Sequence, residues 1–472
     1  MDDCAVHSGG GDMDMAGPLF SGVDFIMREA ALFAATGFLI LGLSDFAVDL
    51  LWLAHRARRR GGMRIAAVAD FDPPARPGRL AVFVPAWDEA AVIGDMLRGA
   101  VAAWSEGDWR LYLGTYRNDP ATIAAAAPVA AADPRVRIVT SGDPGPTTKA
   151  DCLNRLWRAL LADEAAEGRP AKAIVLHDAE DVVHPAELLL FDRLIERFEL
   201  VQLPVIPLIH PNSRWLGGHY ADEFAESHGK EMVVRGALGV GLPSAGVGCA
   251  LAREALGRLA AEKGGLPFDA DSLTEDYELG LRLAEAGGRG AFVRVADQDR
   301  GIVATREYFP GTLAASVRQK ARWMTGIALS GWDRLGWSGG PAERWMRLRD
   351  RQSLLAAILL GAGYFSLALW LALKAWQAAG GAGPAPLSAP LSVLVAVNLG
   401  LLGWRLAVRA GFTAAAYGWP EGLRSMPRMA VGNLVTMLAA ASALSRYRAL
   451  KRGGRPRWDK TAHVFPSRPA AQ

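Results

Sequence analysis

His177-Asp178-Ala179-Glu180-Asp181 closes the apolar run Ala173-Ile174-Val175-Leu176. A short apolar run of this kind reads as a buried strand. Its acids therefore stand at the carboxyl end of a strand, where open α/β sheets place their ligands. Neighbouring carboxylates repel unless positive charge lies between them, so Asp178 and Glu180 point to a divalent cation, Mg2+ or Mn2+, carrying a phosphate. The bland alternative is a solvated acidic loop.

Other stretches offer polar groups in comparable places, each with a plainer reading. Asp88 and Glu89 follow the run Leu80 to Pro85 and are placed to meet a nucleotide's base or ribose at the sheet edge; Asp88 serves equally as a helix N-cap. Asp119 ends the next run and offers the same contact, but Asn118-Asp119-Pro120 is also an ordinary turn. Lys149 follows the Gly/Pro loop 142–146 and is placed to reach a diphosphate at a helix N-terminus; Thr148 is an ordinary cap there. Thr274-Glu275-Asp276 opens an amphipathic helix. As chemistry, Asp276 is a general base for a hydroxyl, with Glu275 beside it; as structure, Thr274 caps and the acids favour the helix start. Gln319, Arg322 and Trp323 share one helical face. Trp323 would stack on a sugar and Arg322 would meet a diphosphate or orient the base, unless the segment is simply a membrane-surface helix.

The elements that must hold these residues alternate. Strands are predicted at 80–85, 110–116, 136–139 and 173–176, and helices at 89–104, 121–132 and 151–167. That alternation over 79–305 predicts a mostly parallel sheet with helices on both faces. Inserts such as His210 to Gly218 break the pattern and find no place in it.

The chain has 472 residues, more than one ordinary domain needs. It is 51% hydrophobic, with mean hydropathy +0.13. The excess sits in a few long runs, which predicts an integral membrane protein with a soluble part. Spans are expected at 30–53, 353–376 and 387–404. The acidic segment 1–29 lacks a basic stretch before the first span, so no cleaved signal is expected and the segment is placed in the periplasm. Arg56, Arg58, Arg59, Arg60 and Arg64 follow the first span and place the 79–305 domain in the cytoplasm. Residues 306–350, rich in Trp and Arg, read as interfacial helices. The run 429–444 is short for a span, and crossing there would put the basic tail 445–472 outside, so a re-entrant or interfacial helix with a cytoplasmic tail is expected. A net charge of only +3 gives no argument for a nucleic-acid partner. Cys4, Cys152 and Cys249 fit no zinc or disulfide spacing, which suits a reduced compartment.

Singly these motifs are weak, and together their order is informative. Asp178-Ala179-Glu180, Thr274-Glu275-Asp276 and Gln319-Lys320-Ala321-Arg322-Trp323, beside membrane helices, resemble the processive-type members of glycosyltransferase family 2. The resemblance implies an α/β GT-A (Rossmann-like) domain inserted between transmembrane helices. It also implies inverting transfer from a nucleotide-sugar donor, with UDP as the nucleotide. Glu180 stands where that family has Asp, which leaves the choice of metal open. His177 to Pro185, Tyr220 to Glu226, Pro243 to Gly248 and Trp458-Asp459-Lys460-Thr461-Ala462-His463 narrow the likeness to the inner-membrane, phage-adsorption-protein-B type, over residues 30–466. Such proteins are similar in role to exopolysaccharide synthases, which implies a growing polysaccharide or lipid-linked acceptor and an outer-membrane export partner. The full-length type carries a C-terminal cyclic di-GMP domain; this sequence ends soon after Phe465, so such control within the chain is not expected. Single-sugar transfer to a lipid carrier, and a non-catalytic export or phage-adsorption component, are the alternatives.

Overall fold

The computed structural model describes residues 16–58, 65–456 and 458–466. Arg59, Arg60, Arg64 and Arg457, with Cys4 and most of the acidic N-terminal segment, lie outside them.

The run Leu80–Pro85 is buried at every position and forms the central strand, β1. It pairs in parallel with β2 (Trp109–Tyr116) and with β4 (Ala173–Leu176), and β2 pairs in parallel with β3 (Val136–Ser141). Beyond β4 lie β6 (Cys249–Ala252), antiparallel to both neighbours, then β5 (Leu200–Gln202) and β7 (Gly290–Phe292). The order is β3-β2-β1-β4-β6-β5-β7.

Successive side chains of a strand point to opposite faces, and the core divides on that rule. Val82, Val84, Leu111, Leu113 and Val175 face Ile93, Met96, Leu97 and Phe191. Ala81, Phe83, Tyr112, Ile174 and Leu176 face Leu153, Leu156, Trp157 and Leu256 on the other side. Helices Ile93–Ala103 and Glu187–Leu194 thus cover one face, and Lys149–Glu167 and Arg253–Glu262 the other. Burying an aromatic or aliphatic side chain as completely as Phe83 or Leu156 contributes about 1.5–3 kcal/mol each.

Two elements differ from expectation for identifiable reasons. The first helix begins at Ile93 rather than Glu89: residues 90–92 form a turn, and before them stands Asp88 with φ +55, outside the right-handed helical region. Its N–H donates to Asp119 Oδ2 (2.6 Å), and that of Glu89 donates to Thr122 Oγ1 (2.9 Å). The unplaced insert is a short turn, Pro211–Ser213, leading into helix Leu216–Glu226. A wider π turn, Ser227–Glu231, continues it into helix Met232–Leu238. Gly218 lets the insert dock on a distant helix: a Cβ there would lie 3.1 Å from Arg428 Cζ.

Among the described residues, four helices are long and apolar enough to cross a membrane: the Phe20–Arg58 part of Ala16–Arg58, Ser353–Ala378, Ala389–Tyr417 and Trp419–Lys451. The last extends well beyond 429–444 at both ends. Its buried side is built of Gly422, Ser425, Arg428, Gly432, Val435, Ala439 and Ala443. Small residues at this spacing let helices Leu216–Glu226 and Leu313–Trp323 approach it closely.

The chain divides into two units, 1–44 with 355–403 and 45–354 with 404–472. In the first, Ser366 Oγ donates to Met27 O (2.9 Å) and Asn398 Nδ2 to Ala35 O (2.9 Å), while Gly363 packs against Phe38. In the second, the sheet is followed by helices Leu313–Trp323 and Pro341–Arg351 and by Trp332 and Trp337, which meet edge to face with Arg351 over Trp337.

Candidate active site

A cavity of about 420 Å³ opens at the carboxyl ends of β1 and β4. Nine of the eleven predicted site residues line it: Glu89, Lys149, Asp178, Glu180, Glu275, Asp276, Gln319, Arg322 and Trp323. Asp88 and Asp119 do not. Asp119 caps helix Pro120–Ala132 by accepting from Thr122 N and also holds the Asp88 amide, so both lone-pair sets serve the loop.

The acidic turn after β4 is held from beneath. His177 is fully buried between Asp181 (Nδ1 to Oδ2, 2.8 Å) and Glu187 (Nε2 to Oε1, 3.0 Å). Burial alone would lower the imidazole's pKa; the Glu187 and Asp181 charges outweigh it and raise the pKa to about 10. Asp181 also accepts from the Asp178 amide (3.0 Å), which shapes the turn that presents Asp178 and Glu180 to the cavity. Asp178 then meets Lys149 Nζ at 2.6 Å. Lys149 stands at the start of helix Lys149–Glu167, which Thr148 caps by accepting from Asp151 N (3.1 Å). Thr148 thus caps the helix while Lys149 in its first turn lines the cavity. Burial opposes the Lys149 charge, but Asp178, Glu275 and Asp276 outweigh it and raise its pKa.

Thr274 occupies the N-cap position of helix Glu275–Glu285, yet its side chain makes no cap bond. Glu275 is buried, and burial with the adjacent Asp276 charge pushes its carboxyl up to about 7 against the pull of Lys149. Asp276 is half-buried, faces the cavity and accepts from Tyr277 N (2.7 Å). The loop Pro243 to Gly248 lies directly behind it. Gly246 has φ +75, and a Cβ there would lie 3.0 Å from Asp276 Cβ and Cγ. Gly246→Ala is therefore expected to lower turnover by displacing Asp276 while β4 and the Lys149–Asp178 pair stay in place. Steady-state kinetics that match the unsubstituted protein would refute this.

On the facing helix, the Gln319 Oε1 atom is buried with no partner among the described residues, a polar group aimed where a ligand would satisfy it. Trp323 forms one wall, edge-on to Tyr220 (6.0 Å between centroids) and Phe309 (6.4 Å). Lys320 between them is taken by Glu223 (2.6 Å).

Sequence reasoning assigned no role to the segment Trp458 to His463, which forms the remaining wall. Trp458 N donates to Thr147 O (2.9 Å), and Asp459 pairs with Arg446 (2.6 Å). Lys460 Nζ contacts Glu89 Oε1, and His463 Nδ1 lies 2.7 Å from Glu180 Oε1 and 3.5 Å from Glu89 Oε1. Burial and the Glu180 charge push the Glu89 carboxyl up to about 7, against His463 and Lys460. Donor atoms of Glu89, Glu180 and His463 all fall within 4.8 Å of one another. Two carboxylates and an imidazole are an acceptable donor set for Mn2+. The signal in the sequence was a compact run of Trp, Asp, Lys, Thr and His beyond the last helix.

Residues 77–326 match the model of glycosyltransferase like family 2. The chain belongs to that family. Bacteriophage adsorption protein B of Escherichia coli strain K12 is 36% identical over 482 aligned positions, covering 93% of this chain. Bacteriophage N4 adsorption protein B of Escherichia coli O157:H7 matches to the same extent. The chain spans 62% of the length of these curated relatives. Among solved structures, mannosyltransferase PcManGT from Pyrobaculum calidifontis, in complex with GDP-Man and Mn2+, has TM-score 0.50 and 15% identity, over 89% of this chain and 99% of that one. That likeness, with the mostly parallel sheet and the apolar helices flanking it in sequence, identifies the fold as GT-A-like. This member of the family carries, among the described residues, four helices apolar and long enough to cross a membrane, which suits a membrane protein.

Proposed function

We propose that this protein is an inverting glycosyltransferase of the bacterial inner membrane. It moves a sugar from a nucleotide-sugar, UDP-linked in the first instance, to a growing exopolysaccharide chain on the cytoplasmic face. The observation that carries the proposal is the convergence of Lys149, Asp178, Glu180, Asp276, Gln319, Arg322 and Trp323 on one cavity. The acceptor hydroxyl attacks the anomeric carbon as Asp276 takes its proton, and the bond from that carbon to the phosphate oxygen breaks. The nucleoside diphosphate leaves with the bonding pair. Lys149 and Arg322 supply positive charge to the diphosphate, and Trp323 offers its face to a sugar ring. A divalent cation beside the Asp178–Glu180 turn would neutralise the leaving group. Basic residues His55, Arg56 and Arg58 at the end of the first helix support a cytoplasmic site.

The relatives' names support a place at the cell envelope, and an export partner in the outer membrane belongs to the same proposal. The test is nucleoside-diphosphate release by detergent-purified protein across UDP- and GDP-sugars with Mg2+ or Mn2+ and a polysaccharide acceptor. Release with one donor is expected. Silence over the whole panel would overturn the assignment.

A further inference from the structure

Glu89 and Glu180 are each 5% exposed and come from different strands' ends. Two buried carboxylates this close need positive charge. Both compensating groups, Lys460 and His463, come from one segment at the far end of the chain. That segment is fixed on both sides: Trp458 is bonded to Thr147, and Phe465 packs on the core that covers one face of the sheet. It thus holds an imidazole rigidly over the carboxylate pair. Asp178, by contrast, is taken by Lys149.

We infer that the divalent cation of the proposed transfer is held by Glu89, Glu180 and His463, so that the C-terminal segment Trp458–His463 is a working part of the donor site. The inference rests on the metal-dependent reading above and changes its ligand set. His463 is a ligand; Lys460 is a competitor, because its single charge lies against the Glu89 oxygen that the cation needs. The two residues therefore have opposite effects on metal affinity, which a merely structural segment would not produce. Lys460 displaced from Glu89 also leaves an ammonium beside the cation, suited to the diphosphate that the cation carries.

The experiment is titration of the whole 472-residue chain, purified in detergent, with Mn2+ alone, followed by the loss of the free-ion electron paramagnetic resonance signal. Changes in residues that merely support a ligand cost about 10–100-fold in metal affinity, so His463→Ala should weaken Mn2+ at least about tenfold. Lys460→Met should tighten it. Asp178→Asn should weaken it less than His463→Ala does. The melting temperature of His463→Ala in EDTA should match that of the unsubstituted protein, which separates a lost ligand from a lost fold. His463→Cys provides a gain that unfolding cannot imitate: a thiolate there should shift preference from Mn2+ toward Cd2+.

Unchanged Mn2+ affinity in His463→Ala would overturn the inference. If Asp178→Asn then abolished binding, metal-dependent transfer would stand with Asp178 as the ligand. No Mn2+ binding by the unsubstituted protein, with nucleoside-diphosphate release continuing in EDTA, would overturn both the ligand set and the metal reading, and leave the transferase reading intact.

Discussion

Asp276→Asn should abolish sugar transfer while donor binding survives. The substitution keeps shape and an acceptor oxygen, so the Tyr277 amide keeps its partner (2.7 Å) and the helix start is undisturbed. Lys149 keeps Asp178 and Glu275 around its ammonium. What disappears is a carboxylate able to accept the hydroxyl proton as the bond to the anomeric carbon forms. Loss of a general base costs about 10²–10⁴ in rate. Nucleoside-diphosphate release measures the first effect, and calorimetric titration with the donor measures the second. Glu275→Gln is the informative neighbour. Burial and Asp276 together hold that carboxyl near 7, so at neutral pH it is already partly uncharged and neutralising it should cost much less. Full activity in Asp276→Asn, or equal losses in both variants, would remove Asp276 from the role of base.

What the sequence disclosed and concealed follows from the range of each interaction. β1 and β4 were legible to the residue because a buried strand writes itself as a short apolar run closed by polar groups. The start of the following helix was not, because the loop before it is tied to a neighbouring strand's end, the Asp88 amide to Asp119 and the Glu89 amide to Thr122, and no local pattern writes such contacts. The first of these bonds explains why Asp119, a plausible ligand in the sequence, is spent on the loop. The last apolar run begins at Met429 because Arg428 and Ser425 lower the hydropathy before it. In the structure those polar groups are on the helix's buried side, and the helix begins at Trp419. His463 was the hardest to see. Its place beside Glu180 depends on the whole chain between them, and no local period encodes that.

Arg428→Met should be the most damaging change remote from the cavity. Arg428 is 0% exposed and joins the last helix to the insert. Its Nη2 donates to Asp222 Oδ1 (2.8 Å) and Glu421 O (3.0 Å), and its Nη1 donates to Arg214 O (3.1 Å). Methionine fills part of the volume but leaves Asp222, itself 0% exposed, with only Thr413 (3.4 Å) and the more distant Arg409 (4.0 Å). Removing one partner of a buried pair costs about 3–5 kcal/mol, far more than a surface ion pair contributes. The cost has a pH signature whose sign is determined. Burial raises the Asp222 carboxyl from its ordinary value to about 7, against the pull of Arg409 and Arg428. An acid whose pKa is higher folded than unfolded binds more protons in the folded state, so its protonation favours folding as pH falls. Without Arg428 the folded value moves higher still. The variant should therefore melt furthest below the unsubstituted protein in alkaline buffer, and the gap should narrow as pH falls toward about 7; below that both folded proteins hold the proton, the unfolded carboxyl is common to both, and the gap should stay constant. Detergent-solubilised melting curves at several pH values measure this. A gap that does not change with pH would mean that the loss comes from packing around the methionine and not from a stranded Asp222 charge.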